Sequence, residues 1–74
     1  MNLLDTELNV KYLVEKINIE NFDDTKKILS MGILPGTEIT VLQKKPTIVF
    51  EVYHSRFTVD NYLGGMIHVR KSNP

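Results

Sequence analysis

The stretch Lys26–Thr37, KKILSMGILPGT, constrains this chain more than any other part of it. It reads as the last turns of an amphipathic helix, a glycine stop, one apolar step and a Pro-Gly turn, followed at once by a strand pattern over Glu38–Leu42. Ile28, Leu29 and Met31 are spaced to share one helix face. Gly32 stands where the chain must leave the helix, in a left-handed conformation that glycine adopts at little cost. Pro35 fixes φ at the first central position of a turn, and Gly36 supplies the positive φ of a type II turn at the second. A helix end, a buried anchor at Ile33 and a strand start therefore lie within one short segment. The helix itself is predicted over about Phe22–Met31, with Asn21 as its cap and Asp24 favourably charged in its first turn. A helix this short is not stable alone in water, so its apolar face must dock on a sheet.

The remaining pattern is β. Leu3-Leu4 reads as an apolar lead-in. Lys11–Ile19 mixes β-branched and aromatic residues, with Tyr12 and Val14 in step and Ile17 and Ile19 out of step. This places a bulge or a change of face at Glu15-Lys16. Glu38–Lys45 alternates with Ile39 and Val41 on one side, and Pro46-Thr47 reverses the chain. Ile48–His54 is the best strand, with Ile48, Phe50 and Val52 on one face. His54-Ser55 is the expected hairpin tip. Phe57–Asp60 is a short strand with Phe57 and Val59 inward, Asn61–Gly64 a single helical turn, and Met66–Arg70 the last strand, with Ile67 and Val69 together. The tail Lys71–Pro74 is polar and expected to fray. Periodicity alone leaves two options, a bent sheet that closes on itself and a split sheet with a packed helix.

Several function classes fall away. A chain of 74 residues reads as one domain, 1–74, with little room for a deep active site. The absence of cysteine excludes disulfides, thiolate metal sites and thiol catalysis, and fits a reducing cytoplasm. No apolar run approaches a membrane span, and the N-terminus lacks a secretory pattern. Nine basic and nine acidic residues balance, whereas a nucleic-acid binder shows a basic excess. No phosphate-cradling loop, H-E-x-x-H or nucleophile elbow occurs, so no catalytic residue is assigned. His54 and His68 are the only imidazoles. Neither has a second histidine at ligand spacing, so no metal site and no cofactor is expected, with these two as the residual candidates.

Leu29-Ser30-Met31-Gly32-Ile33-Leu34-Pro35-Gly36-Thr37-Glu38-Ile39 resembles the L-x-x-G-(I/L)-x-P-G-x-x-(I/F/V) signature of the FeoA family. Leu3-Leu4-Asp5 is similar to that family's opening, Tyr12–Ile17 to its first strand, Arg56-Phe57-Thr58-Val59 to its R-x-(A/S)-(L/V) step and Ile67-His68-Val69 to its closing strand. Two departures stand out. Lys45-Pro46-Thr47 replaces a longer loop that commonly reads A-P-L-G-D-P, and Leu8-Asn9-Val10 stands where a Pro-Gly often leads into the first strand.

The resemblance implies a mainly β fold, a small SH3-like five-stranded barrel with one short helix between the first two strands. It also implies a non-catalytic cytoplasmic accessory of bacterial ferrous-iron transport, partnered by the cytosolic domains of a FeoB-type membrane transporter. Two alternatives remain: a stand-alone regulatory domain related to the C-terminal part of metal-dependent repressors, and a small transition-metal carrier using His54 and His68. A weak homo-oligomer is left open. The structural motif is Leu29, Met31, Gly32 and Ile33. The expected partner surface is Leu34, Pro35 and Gly36, together with Arg56, which could pair with Glu51 or Asp60 or reach a partner. Leu34 is expected outward because Ile33 is the natural core anchor, and Leu42 and Tyr53 could extend the patch.

Overall fold

The computed structural model describes residues 1–18 and 20–72. A 3-10 turn at Leu3–Asp5 precedes β1 (Lys11–Ile17), α1 (Phe22–Ser30), β2 (Glu38–Gln43), β3 (Ile48–Val52), β4 (Ser55–Val59), α2 (Asn61–Gly64) and β5 (Ile67–Lys71). The strands form one antiparallel sheet in the order β4-β3-β2-β1-β5. The register slips between Val14 and Lys16 of β1, which places the expected bulge at Glu15. Ile19, the expected end of the first strand, lies outside the described residues.

The inner face of the sheet is the core. Tyr12, Val14, Ile39, Val41, Ile48, Phe50, Val52, Val59, Ile67 and Val69 are all buried, and Leu3, Ile28, Ile33 and Leu63 cover them from the connecting segments. Each strand therefore buries the alternate residues that its period-2 pattern designates. Tyr12 is buried ring and all, and its phenolic oxygen accepts a hydrogen bond from the Glu7 N–H at 2.9 Å. α1 begins where expected, with the Asn21 side chain accepting from the N–H groups of Asp23 and Asp24. It ends at Ser30 with Met31 as its cap.

Four expectations need correction. The sheet is open: β4 and β5 are its two ends, and no ladder joins them among the described residues. Helical segments occupy the seam instead. α2 packs against β4 and against the 3-10 turn, which packs on β5. The N-terminus also covers the β5 edge, as Val69 N–H donates to the Met1 carbonyl at 2.8 Å. Second, Leu29 does not join Ile28 and Met31 on the docked face. It is 47% exposed, because a residue next to Ile28 lies about 100° further around the helix. Third, the hairpin tip is Tyr53-His54, since Ser55 already pairs with Val52 in the β4 ladder. Fourth, β2 stops at Gln43, and the Lys44 side chain reaches to the N-terminal segment. Its ammonium donates to the carbonyls of Leu4, at 3.1 Å, and Thr6.

Gly64 shows how tightly the seam is filled. A Cβ added there would overlap Ile48 Cδ1, and Ile48 is fully buried with Leu3 close by. Gly64→Ala is expected to cost about 1–3 kcal/mol, as overpacking of a filled core does. A urea midpoint equal to that of the parent chain would show that the seam yields freely.

Candidate functional site

The turn after α1 is held from both sides. Thr37 N–H donates to the Leu34 carbonyl at 2.9 Å, and Gly36 has φ +92°, the geometry of a type II turn. Gly36 N–H donates to the Val14 carbonyl at 2.7 Å, and Val14 N–H donates to the Thr37 carbonyl at 2.9 Å, so the turn is stitched to β1. The buried Thr37 hydroxyl accepts from Leu34 N–H at 3.2 Å and donates to the Gly32 carbonyl at 3.4 Å. Within this frame Ile33 is fully buried and Leu34 is 53% exposed. The chain thus alternates a core anchor with an outward apolar tip on a stiff support.

Next to this turn lies an open groove of about 400 Å³. It is lined by Lys11, Glu38, Thr40 and Glu51 of the sheet, by Gly36 of the turn and by Tyr53 and His54. The register brings the strand residues together. Arg56 lies opposite Glu51, Glu51 opposite Thr40, and Thr40 opposite Lys11, giving one row across the outer face of four strands. The neighbouring row pairs Glu38 with Leu13 and Leu13 with Arg70. The outer face therefore intersperses charges of both signs with neutral residues, while the inner face is apolar.

The expected site residues divide between these features. Leu34, Pro35 and Gly36 form the stiff turn, and Gly36 also touches the groove. Arg56 sits on the outer row with its Nε 4.0 Å from the Glu51 carboxylate, the arginine well exposed and the glutamate half-buried. It is not paired with Asp60, whose side chain caps α2 by accepting from Leu63 N–H at 2.9 Å. An ion pair so exposed contributes only about 0–1 kcal/mol. Leu42 is half-buried and Tyr53 is exposed.

The two histidines are not brought together. His54 is on the β3–β4 turn at the groove. His68 is on β5, where Asn18 Nδ2 donates to its Nε2 at 3.1 Å. Among the described residues, no three of His, Cys, Asp and Glu are grouped to hold a metal. Calorimetric titration with ferrous iron or zinc is expected to show no site tighter than micromolar. A tighter site removed by His54→Ala or His68→Ala would overturn that expectation.

Two features escaped the sequence reading. Asn9 has φ +63° and donates its N–H to the Val41 carbonyl at 2.8 Å. It fills the left-handed position at the lead-in to β1, and asparagine's tolerance for that region was the available signal. The second is Tyr53-His54, with φ +51° and +70°. A two-residue hairpin turn with both φ positive is the type I′ arrangement, for which Asn-Gly is the usual sequence. An aromatic side chain there is strained, at a cost of order 1–3 kcal/mol for a non-glycine residue in this region. The sequence reading placed the tip one residue later, at His54-Ser55, and no residue type there signals two positive φ values.

Fold and site together define a small β-module that presents one stiff loop and one charged sheet face, without converging reactive groups among the described residues. The chain belongs to the FeoA family: the FeoA domain matches residues 1–71. It is 31% identical to an iron uptake regulatory protein (FeoA) of known crystal structure, with a TM-score of 0.84 over 96% of this chain and 95% of that one. The solution structure of iron(II) transport protein A from Clostridium thermocellum has the same fold, with a TM-score of 0.87 at 23% identity. That match covers 96% of this chain and 45% of the other. The manganese-activated repressor ScaR also contains this fold, with a TM-score of 0.84 at 19% identity over 97% of this chain and 35% of the repressor. Comparison with curated protein sequences gives no match. No helix among the described residues is long and apolar enough to cross a membrane.

Proposed function

We propose that this chain is a non-catalytic cytoplasmic accessory of ferrous-iron uptake that binds the cytosolic domains of a FeoB-type membrane transporter and regulates it. The observation that carries this reading is the Leu34 tip. Ile33 beside it is fully buried, Leu34 is 53% exposed, and the turn between them and β2 is fixed by backbone hydrogen bonds to β1. A side chain on so stiff a support loses little entropy on binding. Membership of the FeoA family directs the choice of partner. Catalysis is assigned to the partner, because the described residues of this chain offer a surface and no converging reactive groups.

Leu34→Glu is the direct test. The fold is expected to survive, since Leu34 is more than half exposed and stands outside the buried core cluster. Affinity for the transporter's cytosolic domains, measured by calorimetry, is expected to fall by about 1–3 kcal/mol, the range of a modest interface anchor. Circular dichroism checks folding, and iron-uptake complementation reads out function. Unchanged binding by the folded variant would remove this surface from consideration.

The likeness to ScaR favours a second reading, a regulatory interaction domain that contacts a separate DNA-binding protein. Capture of a repressor, rather than of the transporter domains, by the parent chain and not by Leu34→Glu would select it.

A further inference from the structure

We propose that the outer edge of β4 is a pairing site for a second copy of this chain, the two β4 strands running antiparallel about a two-fold axis at Phe57. This goes beyond the transporter reading and does not depend on it.

The backbone fixes the kind of occupant. β4 pairs with β3 alone. In an antiparallel ladder, opposite residues alternate between pairs that exchange backbone hydrogen bonds and pairs that do not. Val52 and Ser55 close the Tyr53-His54 turn, so Ser55, Phe57 and Val59 direct their N–H and C=O groups at β3. Arg56 and Thr58 turn theirs outward. Both residues are exposed, and no backbone hydrogen bond reaches either of them from another element among the described residues. α2 packs against β4 without supplying one. Such a row of donors and acceptors at ladder spacing is a template for an extended strand.

The two edges of the sheet are treated differently. The β5 edge is covered by the N-terminus, with Val69 N–H on the Met1 carbonyl and a bridge between Asn2 and His68. The β4 edge carries no proline, lysine or bulge, the usual protections against pairing. Its register with β3 runs unbroken from Ser55 to Val59. Arg56 is its only charge, and Glu51 offsets that charge at 4.0 Å on the outer face.

Self-complementarity selects a second copy. A two-fold axis pairs identical edge strands antiparallel, and the outward groups leave a choice of centre: Arg56, Phe57 or Thr58. Centring on Arg56 sets like charges directly opposite each other, which is destabilising. Centring on Thr58 calls on Asp60, whose carbonyl already accepts from Gly64 N–H and whose carboxylate caps α2. Centring on Phe57 places Arg56 opposite Thr58 of the second copy, and the reverse, so the outward donors and acceptors of both residues are paired. It also sets the Phe57 side chains of the two copies against each other at the closely spaced, non-hydrogen-bonded position. In the single chain Phe57 is half-buried, with its ring against Phe50. The second ring covers what no strand beyond β4 covers. So short a ladder makes a weak dimer. The turn that carries Leu34 is bonded to β1, with β2 and β3 between it and this edge, so the two surfaces can be tested apart.

Sedimentation equilibrium of the full chain, from about 10 μM to about 1 mM, is expected to pass from monomer towards dimer mass. Over the same range hydrogen exchange is expected to slow at the Arg56 and Thr58 amides and not at other exposed amides. Thr58→Pro removes an N–H that β3 does not use, a change that edge strands accept. It should give a folded chain that stays monomeric throughout. Thr58→Lys and Thr58→Glu keep the backbone and act through the residue opposite. The lysine faces Arg56 of the second copy and should weaken the dimer about fivefold, and the glutamate should tighten it by about the same factor. These opposite shifts decide the matter even where the proline variant fails to fold. A parent chain that stays monomeric, exchange at Arg56 and Thr58 that ignores concentration, or a dimer indifferent to all three Thr58 variants would overturn the proposal. Loss of the dimer in Leu34→Glu, with Thr58→Lys unchanged, would overturn it in favour of pairing through the turn. Protection of the Arg56 and Thr58 amides by the transporter's cytosolic domains, and not by raised concentration of the chain itself, would overturn the second copy as occupant and give the edge to a partner strand.

Discussion

Phe50→Ala is expected to destabilise the domain by about 3–5 kcal/mol, the usual cost of deleting a buried aromatic ring. Phe50 is fully buried in the middle of β3. It lies opposite Val41 on one side and Phe57 on the other, and its ring is 5.9 Å from that of Phe57 at an interplanar angle of 33°. Removing it would open the inner face across three strands at once. A domain of this size sits at the lower end of the 5–15 kcal/mol that folded proteins command. One such substitution would therefore leave much of the population unfolded at 37 °C. Phe57 is only partly buried, so Phe57→Ala should cost clearly less. Urea denaturation followed by circular dichroism would rank the three proteins. Similar midpoints for Phe50→Ala and the parent chain would mean that the core collapses around the missing ring, which its β-ladder on both sides opposes.

What could be read from the sequence follows the range of the forces involved. The Asn21 cap, the Gly32 exit and the Pro35-Gly36 turn are set by local backbone chemistry, and all three stand where the residue types place them. The inward residues of β2 and β3 follow equally well, since strict alternation admits one assignment. Leu29 failed because two adjacent apolar residues on a helix cannot both point at the sheet, and the pattern does not say which one yields. Closure of the barrel failed for a longer-range reason. Whether β4 meets β5 depends on how α2 and the 3-10 turn fill the seam, and that packing has no periodic signature.

The site was legible to the same degree. Leu34 on its stiff turn needed only neighbours in sequence. The groove needed the pairing of β1, β2 and β3 before Lys11, Glu38, Thr40 and Glu51 could be seen as one surface. Tyr53-His54 was hidden for an instructive reason. Turns are recognised by residues that relieve strain, and this one is built from residues that bear it.

Gly32→Val is expected to cost about 1–3 kcal/mol, and the origin of that cost can be isolated. Gly32 has φ +79°, and a Cβ built on it meets no heavy atom within 4 Å. Any penalty is therefore conformational and not a clash with neighbours. A β-branched residue is the poorest fit to the left-handed region, while asparagine tolerates it. The stability order should accordingly be glycine, asparagine, alanine, valine, with valine losing of order 1–3 kcal/mol. The effect would extend beyond the helix end. Gly32 N–H donates to the Leu29 carbonyl at 3.0 Å, and its own carbonyl accepts from the Thr37 hydroxyl at 3.4 Å. The same residue thus terminates α1 and ties it to the turn that presents Leu34. A valine that avoids the left-handed region must shift Ile33 out of the core or swing the Leu34 tip. Gly32→Val should then reduce transporter binding even at temperatures where circular dichroism shows the chain folded, whereas Gly32→Asn should keep both stability and binding close to the parent. Equal denaturation midpoints for the valine and asparagine variants would show that the chain can leave α1 by another route, and would break this link between the helix stop and the proposed binding surface.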